Sequence, residues 1–265
     1  GVLPICFGQA TRLMEYLVDS VKHYRMTVYL GISTDTYDSE GTVTSRRDPS
    51  GVTLADVEAA LQQFQGIFEQ VPPMYSALKK GGQRLYELAR KGLEVEREPR
   101  KVEIKRIEVV EFRPPEVVLD VESGRGAYMR SLAHDLGEAL GCGGHLANLV
   151  RRRSGPFHIE DAVSLEELKT ACREDTWQAL LKPIDFVVLH MKAITVGRSA
   201  EKLIRNGQAV DLGAASLYAS HMESYRAYNA QGQFLGILRL DKARGLWKPY
   251  KIFQLDTPPL NALKA

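Results

Sequence analysis

Tyr24 stands in the stretch KHYR, between Lys22, His23 and Arg25. A tyrosine among cations can stack on a nucleic-acid base while the cations hold phosphates. The same pattern also fits a core tyrosine that opens a strand. A second set lies in SGRGAYMRSLAHDLG, where glycines let the backbone approach something closely and Tyr128 and Arg130 fall two apart, on one side of a strand-like stretch. An arginine at such a place pairs with a buried carboxylate through its planar fork. The alternative is a surface arginine at a helix start, where the helix dipole mildly disfavours cations. Third, Arg151, Arg152 and Arg153 in HLANLVRRRSGPF cannot all face a core. They suit phosphate binding or a solvated strand edge.

Other chemistries lack their residues. Cys142 and His145 lie three apart in GCGGHL, but no second pair stands at ligand spacing, and a structural zinc site needs four ligands. A glycine-rich turn with a partly buried cysteine is the reading that remains. No phosphate-cradling loop or dinucleotide fingerprint follows a strand. Ser-His-Asp catalysis has no nucleophile elbow.

The 265 residues are 44% hydrophobic and 26% charged, the profile of a soluble globular protein with one large domain or a large and a small one. No apolar run approaches the roughly 20 residues of a spanning helix. Three scattered cysteines, Cys6, Cys142 and Cys172, argue for a reducing cytoplasm rather than a disulfide framework. The net charge of +2 is mild, yet basic residues crowd into LKKGGQRLYELARKGLEVEREPRKVEIKR and the arginine triplet. That distribution fits a protein holding one structured nucleic acid, and it equally fits cations solvating exposed faces.

The elements that must position these residues follow from periodicity. Gln9 to Val21 predicts an amphipathic helix with Leu13, Tyr16, Leu17 and Val18 on one side, and Tyr24 to Gly31 alternates like a strand. TDTYDSEG is rich in turn formers. Thr53 caps a helix whose apolar stripe is Leu54, Val57, Ala60, Leu61 and Phe64. VPPMYSALKKGG is irregular, and QRLYELARKG is a short helix stopped by Gly92. Two strands, VEIKRIEVVEF and EVVLDVES, flank an Arg-Pro-Pro turn. A helix then runs to Leu140 and ends at Gly141, and Ser164 with Glu167 forms a capping box for one more. Strands and helices without a regular βαβ rhythm imply an α+β fold with a mixed, largely antiparallel sheet flanked by helices. After LLKPIDFVVLH the texture changes to short glycine-punctuated strands, which places a domain boundary near residue 190.

Taken together, GVLPICFGQATR, KHYR…LGISTDTYDSEG, VPPMYSALKKGGQRLYELARKG, GRGAYMRSLAHDLGEALGCGGHL and LVRRRSGPF resemble the TruB family, the tRNA pseudouridine-55 synthases, in order and spacing. The resemblance covers essentially the whole chain. It implies a pseudouridine synthase domain over residues 1–190, with a T-arm-binding insertion near 72–100, and a small β-rich PUA-like RNA-binding domain over 191–265. It also implies the chemistry: a T-loop uridine is flipped out, its bond to ribose is cut, and the base is rotated and rejoined through carbon. No metal or organic cofactor takes part. By the resemblance Tyr24 stacks on the flipped base, Arg130 pairs with a catalytic aspartate and Tyr128 sits near the base for proton transfer. Leu149 lines the same pocket, and Tyr75, Lys79, Arg151 and Arg152 contact the RNA. The implied partner is the T-arm of tRNA, met by a monomer in the cytoplasm.

In the family the catalytic Asp lies in a glycine-rich stretch just before the segment matched by GVLP. The resemblance therefore puts it a few positions ahead of Gly1, and the 265 residues alone are expected to be inactive. Asp35, Asp38 and Asp48 are expected to be poor substitutes, since they lie in turn-rich loops, and Arg130 is expected to face an unpaired pocket. A different class of function is a non-catalytic RNA-binding or tRNA-folding protein of the same fold. Arg130 and Tyr128 favour the enzyme, because a pure binder has little use for an arginine awaiting a carboxylate.

Overall fold

Alternation in KHYRMTVYL makes β1 (Lys22–Leu30), whose Met26, Val28 and Leu30 are buried. In the computed structural model, which describes residues 1–255, β1 lies inside a six-stranded sheet ordered β10-β9-β1-β8-β7-β4. Its neighbours are β8 (Glu116–Ser123) and β9 (Gly144–Ser154), and β7 (Arg100–Arg113), β4 (Gly66–Gln70) and β10 (Phe157–His158) complete it. Every pairing in this sheet is antiparallel. The expected hairpin across Arg113-Pro114-Pro115 is β7–β8.

Two helices cover one face. Thr53 caps α2 (Leu54–Leu61) in a reciprocal box with Asp56, and Val57 and Leu61 reach the core. Helix α4 (Met129–Ala139) contributes Met129, Leu132, Ala133 and Leu136, all buried against Met26, Val28, Leu119 and Val121. Burying each such side chain contributes about 1.5–3 kcal/mol. Tyr128 and Arg130 do not lie on a strand as expected. Tyr128 is the extended residue that caps α4, and Arg130 sits in the first turn. The reason is register: Met129, Leu132, Ala133 and Leu136 carry a helical period that begins one residue after Tyr128.

Helix α4 ends at Gly141, whose φ of 75° an L side chain rarely adopts. Its Gly137 lies directly on the start of β9. A Cβ there would sit 2.1 Å from the Gly144 nitrogen and 2.3 Å from the Gly143 carbonyl carbon. Both are backbone atoms that cannot rotate aside. Gly137→Ala is therefore expected to destabilise the protein by about 3 kcal/mol, the upper range for overpacking. The check is the urea midpoint, which should fall at unchanged slope. An unchanged midpoint would show that helix and strand separate freely.

Shorter elements lie around this frame. Hairpin β2 (Ile32–Thr34)–β3 (Val43–Arg46) encloses the TDTYDSEG loop. Hairpin β5 (Lys79–Lys80)–β6 (Gln83–Arg84) leads into α3 (Leu85–Ala89). The helix expected over Gln9 to Val21 is instead a 3-10 turn, Gly8–Leu13, followed by α1 (Met14–Val18). Leu13 and Leu17 are buried as expected, whereas Val18 is exposed. Val18 follows Leu17 in the α-helical turn, about 100° further around the axis, which carries it off the buried stripe.

The chain divides by its contacts into two compact units, residues 1–4 with 18–162, and residues 5–17 with 163–265. The second contains β11 (Ala193–Val196), β12 (Ser224–Asn229), β13 (Phe234–Asp241) and β14 (Leu246–Ile252), joined in that order. The β11–β12 pair is parallel and the others are antiparallel. Helix α6 (Arg198–Arg205) buries Ile204 with Val196, Leu238 and Trp247. Ser164 caps α5 (Leu165–Arg173) in the expected box with Glu167.

By contacts the division falls at residue 162, ahead of the change of texture near 190, because the connecting stretch is fastened to the small sheet. Buried Asp185 accepts a hydrogen bond from the Tyr228 hydroxyl, and the Arg226 guanidinium lies 4.0 Å away. Residues 256–265 of the expected small domain lie outside the described residues.

Candidate active site

Arg130 does not face an unpaired pocket. One guanidinium nitrogen donates to Asp38 Oδ2 at 3.2 Å, and the other donates to the Tyr75 carbonyl at 2.7 Å. Both side chains of the ion pair are about three-quarters buried, with 26% and 24% exposure. The fork is thus split between two acceptors rather than closed on one carboxylate. Asp38, expected to be a poor substitute for the catalytic Asp, reaches Arg130 because its loop folds back against β9. The Ser39 amide donates to the Leu146 carbonyl, and the Leu146 amide donates to the Tyr37 carbonyl. Within the loop Thr36 Oγ1 donates to Asp38 Oδ1 at 2.6 Å, and the Glu40 amide donates to the same oxygen at 3.2 Å.

Tyr75 is brought there by two ties between β4 and the start of α4. The buried amide of Gln70 accepts from the Tyr128 amide at 2.8 Å and donates to the Tyr128 carbonyl at 3.1 Å. Ser131 Oγ donates to the Val71 carbonyl at 2.7 Å. These bonds fix the start of the turn that leads through Pro72 and Pro73, and the Arg130 bond to the Tyr75 carbonyl holds its far end. Gln70 was not singled out from sequence, and EQVPP carries no signal that would have marked it. Asp38, Tyr75, Arg90 and Arg130 line one open, polar cavity of about 340 Å³, with Asp35, Thr36 and Glu40 on its wall.

Tyr24 is half-buried on β1, opposite Val121 of β8 and Arg151 of β9. It packs on the edge of the core. Leu149 pairs with Met26 in the same register, so Tyr24, Leu149 and Arg151 share a face. Leu149 is 41% exposed there. The flanking cations are not held out for phosphate. Lys22 Nζ donates to the Val18 and Ser20 carbonyls, both at 2.6 Å. Arg25 closes a two-pronged pair on Asp120 at 2.9 and 2.7 Å, which holds the Asp120 carboxyl below its usual range.

The arginine triplet is also engaged inside the protein. Arg151 Nε donates to the Val2 carbonyl at 2.7 Å, and the Arg151 carbonyl accepts from the Val2 amide at 2.7 Å. A Cβ on Gly1 would lie 2.7 Å from the Arg151 nitrogen, so the first residues run close against this strand. Arg152 reaches Glu160 at 3.3 Å and Arg153 reaches Glu122 at 3.1 Å. A bulge in β9 between the partners of Tyr24 and His23 interrupts the alternation, so Arg151 shares the face of Tyr24 and Arg153 that of His23, where Glu122 meets it.

Lys79 stands exposed on the β5–β6 hairpin. Beyond it Arg84 and Arg90 lie over the Tyr86 ring, at 5.8 and 5.4 Å. Other acids near the site are used locally: Asp35 accepts from the Thr42 amide, and Asp48 accepts from Ser50. Cys142 is buried, and its Sγ lies 3.4 Å from the Gly143 carbonyl, while His145 Nδ1 bonds the Ile32 carbonyl at 2.9 Å.

The geometry so far is a guanidinium aimed into a polar cavity and a separate strand face bearing a half-buried tyrosine beside an exposed leucine. Such an arrangement can orient an anion and receive a flat ring. Two family profiles match the chain. One, described as TruB family pseudouridylate synthase (N terminal domain), matches residues 1–129, and the other, tRNA pseudouridylate synthase B C-terminal domain, matches residues 130–189. The tRNA pseudouridine synthase B of Thiobacillus denitrificans is 42% identical over 244 residues, 92% of this chain and 80% of its own length. The protein of the same name from Symbiobacterium thermophilum is 50% identical over 208 residues, 77% of this chain and 68% of its own. Among solved structures, a Cbf5-Nop10-Gar1 complex aligns with a TM-score of 0.68 at 23% identity, covering 97% of this chain and 73% of that one. This last likeness is one of fold.

Proposed function

This chain belongs to the TruB family of pseudouridylate synthases, and from that membership we propose that it converts the T-loop uridine of tRNA, position 55, into pseudouridine. The reaction is an isomerisation. The bond from N1 of the base to C1′ of the ribose breaks, a bond from C5 to C1′ forms, C5 loses its proton and N1 gains one. The uridine must first leave its stack, at a cost of a few kcal/mol that a stacking aromatic offsets. Tyr24 takes that part, Leu149 lines the same face, Tyr128 stands near the base, and Arg130 orients the carboxylate that acts at the sugar.

Arg130 carries this reading. A three-quarters-buried guanidinium whose fork is shared between a loop carboxylate and a carbonyl, in the lining of a polar cavity, is a costly arrangement for a surface that only binds. The segment 72–100 is the surface for the T-arm, supported by Lys79 and by the two arginines around Tyr86. Tyr75, Arg151 and Arg152 complete the RNA contacts. Residues 191–265 act as a PUA-like RNA-binding domain, supported by their four-stranded sheet. The protein works as a monomer in the cytoplasm. No helix among the described residues is long and apolar enough to cross a membrane.

The nucleophile in this reading is an Asp N-terminal to Gly1. Two observations support it: Asp35 and Asp48 are committed to local bonds and Asp38 to Thr36 and Arg130, and the backbone of Gly1 and Val2 lies against Arg151, the cross-strand partner of Tyr24. The test is tritium release from tRNA labelled at C5 of uridine. The 265-residue chain is expected to bind tRNA without releasing label. The chain extended through the Asp is expected to release it, and the same extension bearing Asn is not. Replacing the position-55 uridine by cytidine should abolish release. Release by the 265 residues alone would move the nucleophile to Asp38 or Asp35.

A further inference from the structure

Tyr37, next to Asp38, has a φ of 65°, a left-handed conformation that costs a non-glycine residue about 1 kcal/mol or more. Its ring lies flat on the imidazole of His134, with centroids 4.0 Å apart and planes 8° from parallel. His134 is one helical turn beyond Arg130 on α4, so the two side chains share a face. That face therefore holds two adjacent loop residues: Arg130 grips Asp38 and His134 grips Tyr37. His134 Nδ1 is buried without a hydrogen-bond partner among the described residues. The ring is thus held there by packing against Tyr37 rather than by a polar contact at that nitrogen.

We propose that the Tyr37–His134 stack is the positioning device of the site, which clamps the TDTYDSEG loop so that Asp38 sets the direction of the Arg130 guanidinium. The inference rests on the reading of Arg130 as the residue that orients the carboxylate. Neither Tyr37 nor His134 touches the reacting atoms. They act through Asp38, whose loop is otherwise tied by the Ser39 and Leu146 amides to β9. A strained residue at this point is stable only while its ring is held.

The test uses the extended protein with four variants: His134→Ala, His134→Phe, Tyr37→Phe and Tyr37→Gly. An aromatic pair supports about a tenfold effect. His134→Ala and Tyr37→Gly are each expected to lower kcat about tenfold and to leave KM for tRNA within about twofold. His134→Phe and Tyr37→Phe keep the stack and should stay within about twofold of the parent. Tyr37→Gly also removes the backbone strain, so it should keep or raise Tm while losing turnover, which a merely structural role would not produce. Hydrogen exchange at the Ser39 and Glu40 amides should speed up in His134→Ala and return to the parent rate in His134→Phe. Exchange judges the clamp and tritium release judges the function. Unchanged exchange in His134→Ala overturns the clamp, whatever the activity, and an inactive parent with clamped amides overturns only the functional reading.

Discussion

Tyr24→Ala is expected to slow pseudouridine formation by at least about a thousandfold. Loss of a stacked base removes about 1–3 kcal/mol, and a phenol that helps move a proton adds a further factor of about 10²–10⁴. Binding of tRNA should change by less than about threefold, because phosphates elsewhere on the T-arm supply most of the affinity. Tyr24 also packs on the edge of the core, so Tm must be followed beside turnover. Tyr24→Phe separates the two contributions: it keeps the ring and loses only the hydroxyl. A Phe variant close to the parent assigns Tyr24 to stacking, and a slow one adds proton transfer. Near-normal turnover by the Ala variant would make Tyr24 a core residue at the head of β1 and nothing more.

Arg130→Lys should cost about a hundredfold to a thousandfold in kcat with little change in tRNA affinity. The guanidinium serves Asp38 and the Tyr75 carbonyl at the same time, from two nitrogens set at a fixed angle. An ammonium is a point charge on a flexible stem and cannot hold both directions. The acceptor it abandons is left poorly solvated, at a cost of about 1–3 kcal/mol. A loss of about 3–4 kcal/mol from the transition state is about a hundredfold to a thousandfold in rate. If Lys supports turnover within about threefold of the parent, charge alone suffices and the split fork has no role.

The parts of this molecule that could be read from sequence are those set by local period or local capping. Met26, Val28 and Leu30 alternate, Thr53 and Ser164 each have an acid three residues on, and Gly141 stops a helix whose apolar period runs from Met129 to Leu136. What stayed hidden depends on residues far apart in the chain. Asp38 looked like one turn former among several until β9 held its loop, 92 positions from Arg130. Gln70 clamps Tyr128 across 58 positions, and nothing in its own neighbourhood distinguishes it from other glutamines. The arginine triplet looked free because Val2, Glu160 and Glu122 come from other segments. The boundary near residue 190 was placed by texture, whereas compactness follows contacts such as Tyr228 to Asp185.

The interleaving of the two units sets an order of events on the ribosome. Residues 18–162 have all their strand partners once His158 has emerged. Residues 5–17 do not, because Gln9 bonds Gln254, Arg12 bonds the Ile252 carbonyl and Glu15 meets Tyr250 and Lys251. Those partners follow 235 to 245 positions later in the chain. At about 5–20 residues per second the N-terminal segment waits on the order of ten seconds or more after its own synthesis. Throughout that interval Leu13, fully buried in the finished protein, lacks the C-terminal segments of its unit, and an apolar side chain so placed is a natural substrate for a chaperone that binds nascent chains.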